Sequence, residues 1–279
     1  MEEDERMMRF LSVLQKIIHS FFNLFFAPQC PICYEMQETN NICFKCFGSI
    51  SFLGECCVKC QEPFEYHVPG VDVCESCARK DLSFYSIMIC AIKYNEAIKN
   101  LVIRFKNQQD FSLAILFAKW IVNRYNQLHD CEGNHDTQNL IIIPVPLYRK
   151  RLIKRGYNQS VVLSRQISKL LNAPVINMLE RVRDTNSQAT KTIQERADNV
   201  KDAFFVAKKY RSQSASRKFD GKKFLIVDDV ITTGATLFEC AKALQAASAG
   251  CAVEIELLAL ARRLKKAKRE SVDLSNEME

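Results

Sequence analysis

Phe224-Leu225-Ile226-Val227-Asp228-Asp229-Val230-Ile231-Thr232-Thr233-Gly234-Ala235-Thr236 is the stretch that decides the fold and the place where chemistry can occur. Phe224 to Val227 is an unbroken apolar run, the pattern of a strand buried on both faces. It ends in two acids and a small, hydroxyl-rich turn, and Thr236 to Ser248 then reads as a helix with Gly250 as its stop. In an open α/β sheet, ligands sit outside the carboxyl ends of the strands. A helix N-terminus offers free N–H groups and a favourable dipole to an anion. Thr232, Thr233 and Thr236 add hydroxyls, and Gly234 lets the backbone approach closely. Two adjacent carboxylates repel a phosphate but accept hydrogen bonds from sugar hydroxyls. The segment therefore asks for a sugar phosphate, with its phosphate on the turn Thr232, Thr233, Gly234, Ala235, Thr236 and its diol on Asp228 and Asp229. The competing reading is an acidic turn followed by an ordinary helix cap. A Walker loop is excluded, because no Gly-Lys-Ser/Thr follows.

Working outward, Leu140 to Ile143 is a second buried strand that ends at Pro144-Val145-Pro146. Asn158 to Leu171 has helical spacing closed by Asn172 and Pro174. Val175 to Val182 and Val253 to Leu260 read as further strands, and Glu96–Phe105 and Phe111–Tyr125 as two helices joined by the polar turn Lys106–Asp110. Trp120 is expected in the core. Loops are expected at 127–138, 185–192 and 211–221. Strands alternating with helices predict an α/β fold, a mostly parallel sheet with helices on both faces.

The 279 residues are 48% hydrophobic and 25% charged, an ordinary globular balance that excludes wholesale disorder. Only 8 Gly and 7 Pro exclude a collagen-like or low-complexity chain. A formal charge of +7 suits an anionic partner, either nucleic acid or a phosphorylated small molecule, without choosing between them. The N-terminus is acidic and lacks the basic start of a secretory signal. Phe10, Leu14, Ile17, Ile18, Phe21 and Phe25 fall at helical spacing, while Lys16, His19 and Asn23 interrupt the apolar run and argue against a transmembrane span. Residues 1–27 are thus expected to form an amphipathic helix that packs on the rest of the protein, an interfacial membrane helix being the alternative. Residues 264–279 read as a charged, frayed tail.

The 13 cysteines matter through their positions. Four CxxC pairs, Cys30/Cys33, Cys43/Cys46, Cys57/Cys60 and Cys74/Cys77, occur in one short segment. A CxxC turn points two thiolates at one metal, and two turns complete a tetrahedral shell for Zn²⁺. The segment is too short for a core of its own, so structural zinc is its expected source of stability. Sequential pairing is simplest, and spacing leaves an interleaved arrangement open. Cys56 is a spare, and Cys90, Cys131, Cys240 and Cys251 read as buried apolar residues.

Leu225 to Thr236, LIVDDVITTGAT, resembles the 5-phosphoribosyl-1-pyrophosphate (PRPP) motif of type I phosphoribosyltransferases. The resemblance implies that Asp228 and Asp229 hold the ribose hydroxyls, that Thr232 to Thr236 hold the 5-phosphate, and that Mg²⁺ bridges pyrophosphate and ribose oxygens. PVPLYRKRLIKRGYNQS at Pro144–Ser160, RVRDTNSQ at Arg181–Gln188, Arg196, Asn199 and the cysteine pairs together resemble the ComF family of competence-associated proteins, over nearly everything from Leu24 to Arg262. That resemblance implies four parts: the helix 1–27, a double zinc-ribbon module 28–82, a type I phosphoribosyltransferase-like domain 83–263 and the tail 264–279. It further implies a role in natural transformation and a cytoplasmic site of action near the inner face of the membrane. Its implied partners are single-stranded DNA and a helicase-like competence protein.

Arg149, Arg151 and Arg155, with Lys150 and Lys154, form a cationic cluster that suits either the pyrophosphate of PRPP or a DNA backbone, and a solvated basic face is the bland alternative. Tyr148 and Tyr157 flank it as candidate base-stacking rings. Arg181, Arg183 and Arg196 surround a polar loop that corresponds, by the same resemblance, to a mobile flap. Three functions stay open at this point: a PRPP-binding DNA-uptake protein, a metabolic phosphoribosyltransferase with an unknown nitrogen acceptor, and a PRPP-sensing regulator.

Overall fold

The computed structural model describes residues 29–37, 42–64, 66, 69–129, 139–184, 200–211, 217–248 and 251–264. The expected N-terminal helix, the C-terminal tail, the loop 185–192, Arg196, Asn199, Cys131 and Gly250 lie outside the described residues. In chain order the strands are β1 (Met88–Lys93), β2 (Leu140–Pro144), β3 (Leu179–Arg181), β4 (Phe204–Val206), β5 (Lys223–Ile231) and β6 (Glu254–Arg262). The helices are α1 (Phe44–Phe47), α2 (Glu75–Ala78), α3 (Glu96–Asn107), α4 (Ser112–Leu128), α5 (Arg149–Arg155), α6 (Gln159–Leu171) and α7 (Ala235–Ala247).

The main sheet has the order β1-β6-β5-β2, and every pairing in it is parallel. The middles of its strands are apolar because both faces are covered: all of β2 and Phe224–Val227 of β5 are buried. Apolar residues of α3, α4 and α6 pack on one face. Those of α7 and the β3–β4 hairpin pack on the other. The chain leaves β5 through α7 toward β6, whereas it leaves β2 through α5 and α6 toward Val175, which bridges Ile142 on the outer side. The crossovers diverge between β5 and β2, so a crevice opens at the carboxyl ends of these two strands, the usual ligand position in such a sheet.

Two elements differ from the sequence reading. The strand expected over Val175 to Val182 breaks in two: after the Val175 bridge the backbone folds tightly, Met178 N–H donating to the Ile176 carbonyl, and β3 turns away to pair antiparallel with β4. The cysteine segment also lies along the sheet. Phe52 bridges Ile92 antiparallel, and Leu53 N–H donates to Ala91, Met88 N–H to Val58 and Lys93 N–H to Ser51. It thereby covers the exposed edge of β1, which would otherwise offer unpaired backbone groups.

Phe224 is fully buried at the start of β5, edge-on to Phe219 at 5.7 Å. Phe224→Ala should cost about 3–5 kcal/mol in denaturant unfolding, whereas Phe205→Ala, at an exposed position of the β3–β4 hairpin, should change stability little.

Candidate functional site

Asp228 and Asp229 sit where β5 runs out into the crevice. Asp228 Oδ1 accepts the Asp229 N–H at 2.9 Å and the Ser160 hydroxyl at 3.1 Å. Ser160 stands in the first turn of α6, whose cap Asn158 accepts from Ser160 N–H and donates to the Val145 carbonyl at 2.9 Å. One asparagine thus fixes the start of α6 to the end of β2. Burial, and then the charge of Asp229, push the Asp228 carboxyl up to about 6, against the pull of Lys106 and the two donors.

Asp229 is 3% exposed, and its Oδ1 meets the Lys106 ammonium at 2.8 Å. Burial by itself lowers the pKa of Lys106, but the Asp229 ion pair more than offsets this, and Lys106 is held above its ordinary value. Asp229 Oδ2 is buried with no hydrogen-bond partner. A buried carboxylate oxygen left without a donor is costly, and a hydroxyl or an ion placed here would relieve that cost. An all-oxygen acidic site suits sugar hydroxyls or the hard ion Mg²⁺.

The turn after β5 reaches α7 through Gly234 at φ +83, where a Cβ would lie 2.8 Å from Phe238 Cζ. Ala235 N–H is taken by Thr233 Oγ1 at 3.3 Å, and the remaining first-turn N–H groups are those every helix leaves without an intrahelical acceptor. Arg262, 4% exposed at the end of β6, donates to the Thr232 carbonyl and holds the turn from beneath.

The cationic residues divide. Arg151 pairs with Asp184 at 3.2 Å and lies close to Arg181. Arg181 is within electrostatic reach of Asp228 and lies over the Phe204 ring, and burial together with Arg151 lowers its pKa. Arg155 bonds Gln159 at 2.6 Å and repels Lys106, which places it beside the acidic pair. Arg149 is exposed on α5, a helix with no buried residue. Arg183 turns back to the Lys201 carbonyl across the hairpin. Tyr157 is committed to the fold, its hydroxyl on the Phe105 carbonyl and its ring edge-on to Phe111 at 5.0 Å. Sequence reasoning left Lys106 in a polar turn and gave no role to Ser160 or Arg262. None of the three carries a local signal, since each meets its partner only across the fold.

The cysteines form two separate groups, Cys30, Cys33, Cys43, Cys46 and Cys57, Cys60, Cys74, Cys77, with the four sulfurs of each within 4.8 Å of one another. The pairing is therefore sequential. Backbone N–H groups aim at sulfur, Cys43 N–H at Cys30 and Cys74 N–H at Cys57, as suits thiolate ligands. Four thiolates in a closed shell fit structural Zn²⁺. Cys90 and Cys240 are buried apolar residues, and Cys56 lies against Arg124.

The family description "Phosphoribosyl transferase domain" matches residues 157–276. The chain is 32% identical over 208 residues to Competence protein F of Haemophilus influenzae, covering 74% of this chain and 85% of that protein. It is 22% identical to Competence protein ComFC of Bacillus subtilis, covering 75% and 80% of the two chains. Over a shorter stretch of 104 residues it is 35% identical to the DNA utilization protein YhgH of Escherichia coli O157:H7, 42% of that protein.

Gly234→Ala should destabilise the chain by about 1–3 kcal/mol, because it combines a strained φ with the Phe238 clash. Adding Phe238→Leu should recover the steric part in denaturant titrations. Metal analysis of the reduced chain should find two zinc ions. Cys46→Ser should lose one of them, and so should Cys77→Ser, since each breaks a different group.

Proposed function

The chain belongs to the ComF family of competence proteins, and from that premise we propose that it binds PRPP with Mg²⁺ at the carboxyl end of β5 and assists DNA uptake by handling single-stranded DNA. The observation that carries the PRPP reading is the unpartnered, buried Oδ2 of Asp229 beside Asp228, one turn before a glycine-led helix N-terminus. Asp228 and Asp229 accept the ribose hydroxyls, and the turn Thr232–Thr236 receives the 5-phosphate. Arg151, Arg155 and Arg181 supply positive charge for the pyrophosphate. Magnesium, when bound, adds charge neutralisation at the phosphate oxygens. This chain's residues orient the ligand and exclude water from one of its sides. In the single-strand reading, Arg149, Lys150 and Lys154 are free to track phosphates from the exposed face of α5.

Calorimetric titration with PRPP and Mg²⁺ tests the first part. Asp229→Asn should weaken binding at least about tenfold with the fold intact. Binding should tighten as pH rises through about 6, because the ribose favours ionised Asp228, and the share of this step owed to Asp228 should vanish in Asp228→Asn. The sign reverses for the ligand-free chain. Its raised carboxyl pKa favours the folded state below ~4, and this contribution is lost as pH rises toward about 6, so Asp228→Asn should melt higher than the natural chain at pH 7.

For the second part, Arg149→Glu with Lys150→Glu should weaken single-strand binding and flatten its salt dependence by about two charges, while PRPP affinity changes little.

A further inference from the structure

We propose that the second cysteine ribbon is a positioning element for the phosphate-binding turn, acting through Glu62–Arg262 on Thr232 and through Tyr85–Phe238 on Gly234. This rests on the PRPP reading for its ligand but not for its geometry.

The first line begins two residues past Cys60. Glu62 Oε2 faces Arg262 Nη2 at 3.4 Å, and the Glu62 carbonyl accepts the Cys57 N–H at 3.0 Å, so this residue is tied directly into the metal knuckle. The other terminal nitrogen of Arg262 donates to the Thr232 carbonyl. One planar guanidinium thus joins ribbon and turn, and its buried Nε has no partner to share it with. Next to it, Arg263 N–H donates to the Ile231 carbonyl at 2.8 Å, which seats the whole β5 end on β6.

The second line begins at Lys59, between Cys57 and Cys60. Its ammonium donates to the carbonyls of Tyr85 at 2.6 Å and Ser86 at 2.8 Å, and Tyr85 returns its hydroxyl to the Lys59 carbonyl at 2.6 Å. The Tyr85 ring stacks on Phe238 at 5.5 Å. Phe238 is the side chain that fills the space beside Gly234. The first ribbon leans on the other side of the site, through Arg104 of α3, which donates to the Pro31 carbonyl two residues before Lys106.

Two independent contacts from one knuckle, onto the first residue and the central glycine of a five-residue turn, are more than a core needs. They let the ribbon set where the turn's backbone N–H groups stand before a phosphate arrives, which is preorganisation.

The test measures hydrogen exchange in the turn 230–238 of the ligand-free chain, and PRPP affinity by calorimetry, with zinc content assayed for every variant. Glu62→Ala and Tyr85→Leu should each accelerate exchange in the turn and weaken PRPP binding by about three- to tenfold with both zinc ions retained. Glu62→Gln, which keeps an acceptor for Arg262, should restore most of the loss. Glu62→Ala and Arg262→Lys should be non-additive, as members of one chain of contacts are. Glu75→Ala, at an exposed acid of the same ribbon that pairs with Arg79, should change neither reading. Unaltered exchange in the turn for both Glu62→Ala and Tyr85→Leu overturns the proposal. Accelerated exchange with no PRPP binding even in the natural chain upholds the coupling and removes the ligand assignment.

Discussion

Two carboxylates held side by side at the end of a buried strand are an electrostatic problem that the surrounding fold exists to solve. Neither can leave, because β5 is held by β2 as far as Val227 and by β6 on to Ile231, so the two acids stand where the strand emerges from its neighbour. Asp229 is compensated by Lys106, delivered from the last turn of α3. Asp228 has no cation of its own and leans on Ser160 and a backbone N–H, so burial raises its pKa to about 6. Two helices separated in sequence by α4, β2 and α5 are thereby brought to one strand end. The placement of α3 and α6 on the same face of the sheet follows from it as much as from their apolar stripes.

The cysteine ribbons belong to this arrangement. Small metal modules are often read as beads beside a domain, held by their metal and little else. Here the stretch between the two cysteine groups supplies most of the strand-like cover of β1 and contributes Leu53 to the core, together with Phe84 and Tyr85 of the segment after the second group, and the second ribbon inserts the buried Gln61 side chain, whose oxygen accepts the Cys90 N–H at 3.1 Å. A parallel sheet edge needs a cover, and the cysteine-rich segment provides one without the length a helix would require.

The parts of this molecule that were legible in sequence are those whose signal is local. The β5–α7 unit announces itself through an apolar run, two acids and a small-residue turn within a single stretch, and the cysteine groups through their spacing. Strand β1 is silent in the sequence because Met88-Ile89-Cys90-Ala91-Ile92 mixes β-branched residues with small and flexible ones. Lys106 and Arg262 were silent for a different reason. Arg262 meets Glu62 across 200 positions of sequence, and a lysine at the end of a basic, amphipathic helix looks the same whether it faces water or a carboxylate. Tyr157 was misread for the same cause: a tyrosine beside a basic cluster resembles a stacking platform until its hydroxyl is seen bonded to Phe105.

On the proposed PRPP reading, the charge balance around the crevice is what would let an acidic strand end receive a polyphosphate. Against Asp184, Asp228 and Asp229 stand Lys106, Arg151, Arg155 and Arg181, four cations to three acids, and burial disfavours the charge of Asp228. Cations thus outnumber acids by one among these groups, while Asp229 Oδ2 is the buried acceptor left without a donor. Removing the acids would strengthen attraction for any anion and abolish the preference for one carrying a diol; removing the cations would do the reverse. On that reading, selectivity for a phosphorylated sugar over free phosphate or over an uncharged sugar would come from holding both signs at short range in a site too rigid for them to collapse onto each other. That rigidity is what the sheet, the capped helices and the ribbon beneath the turn provide.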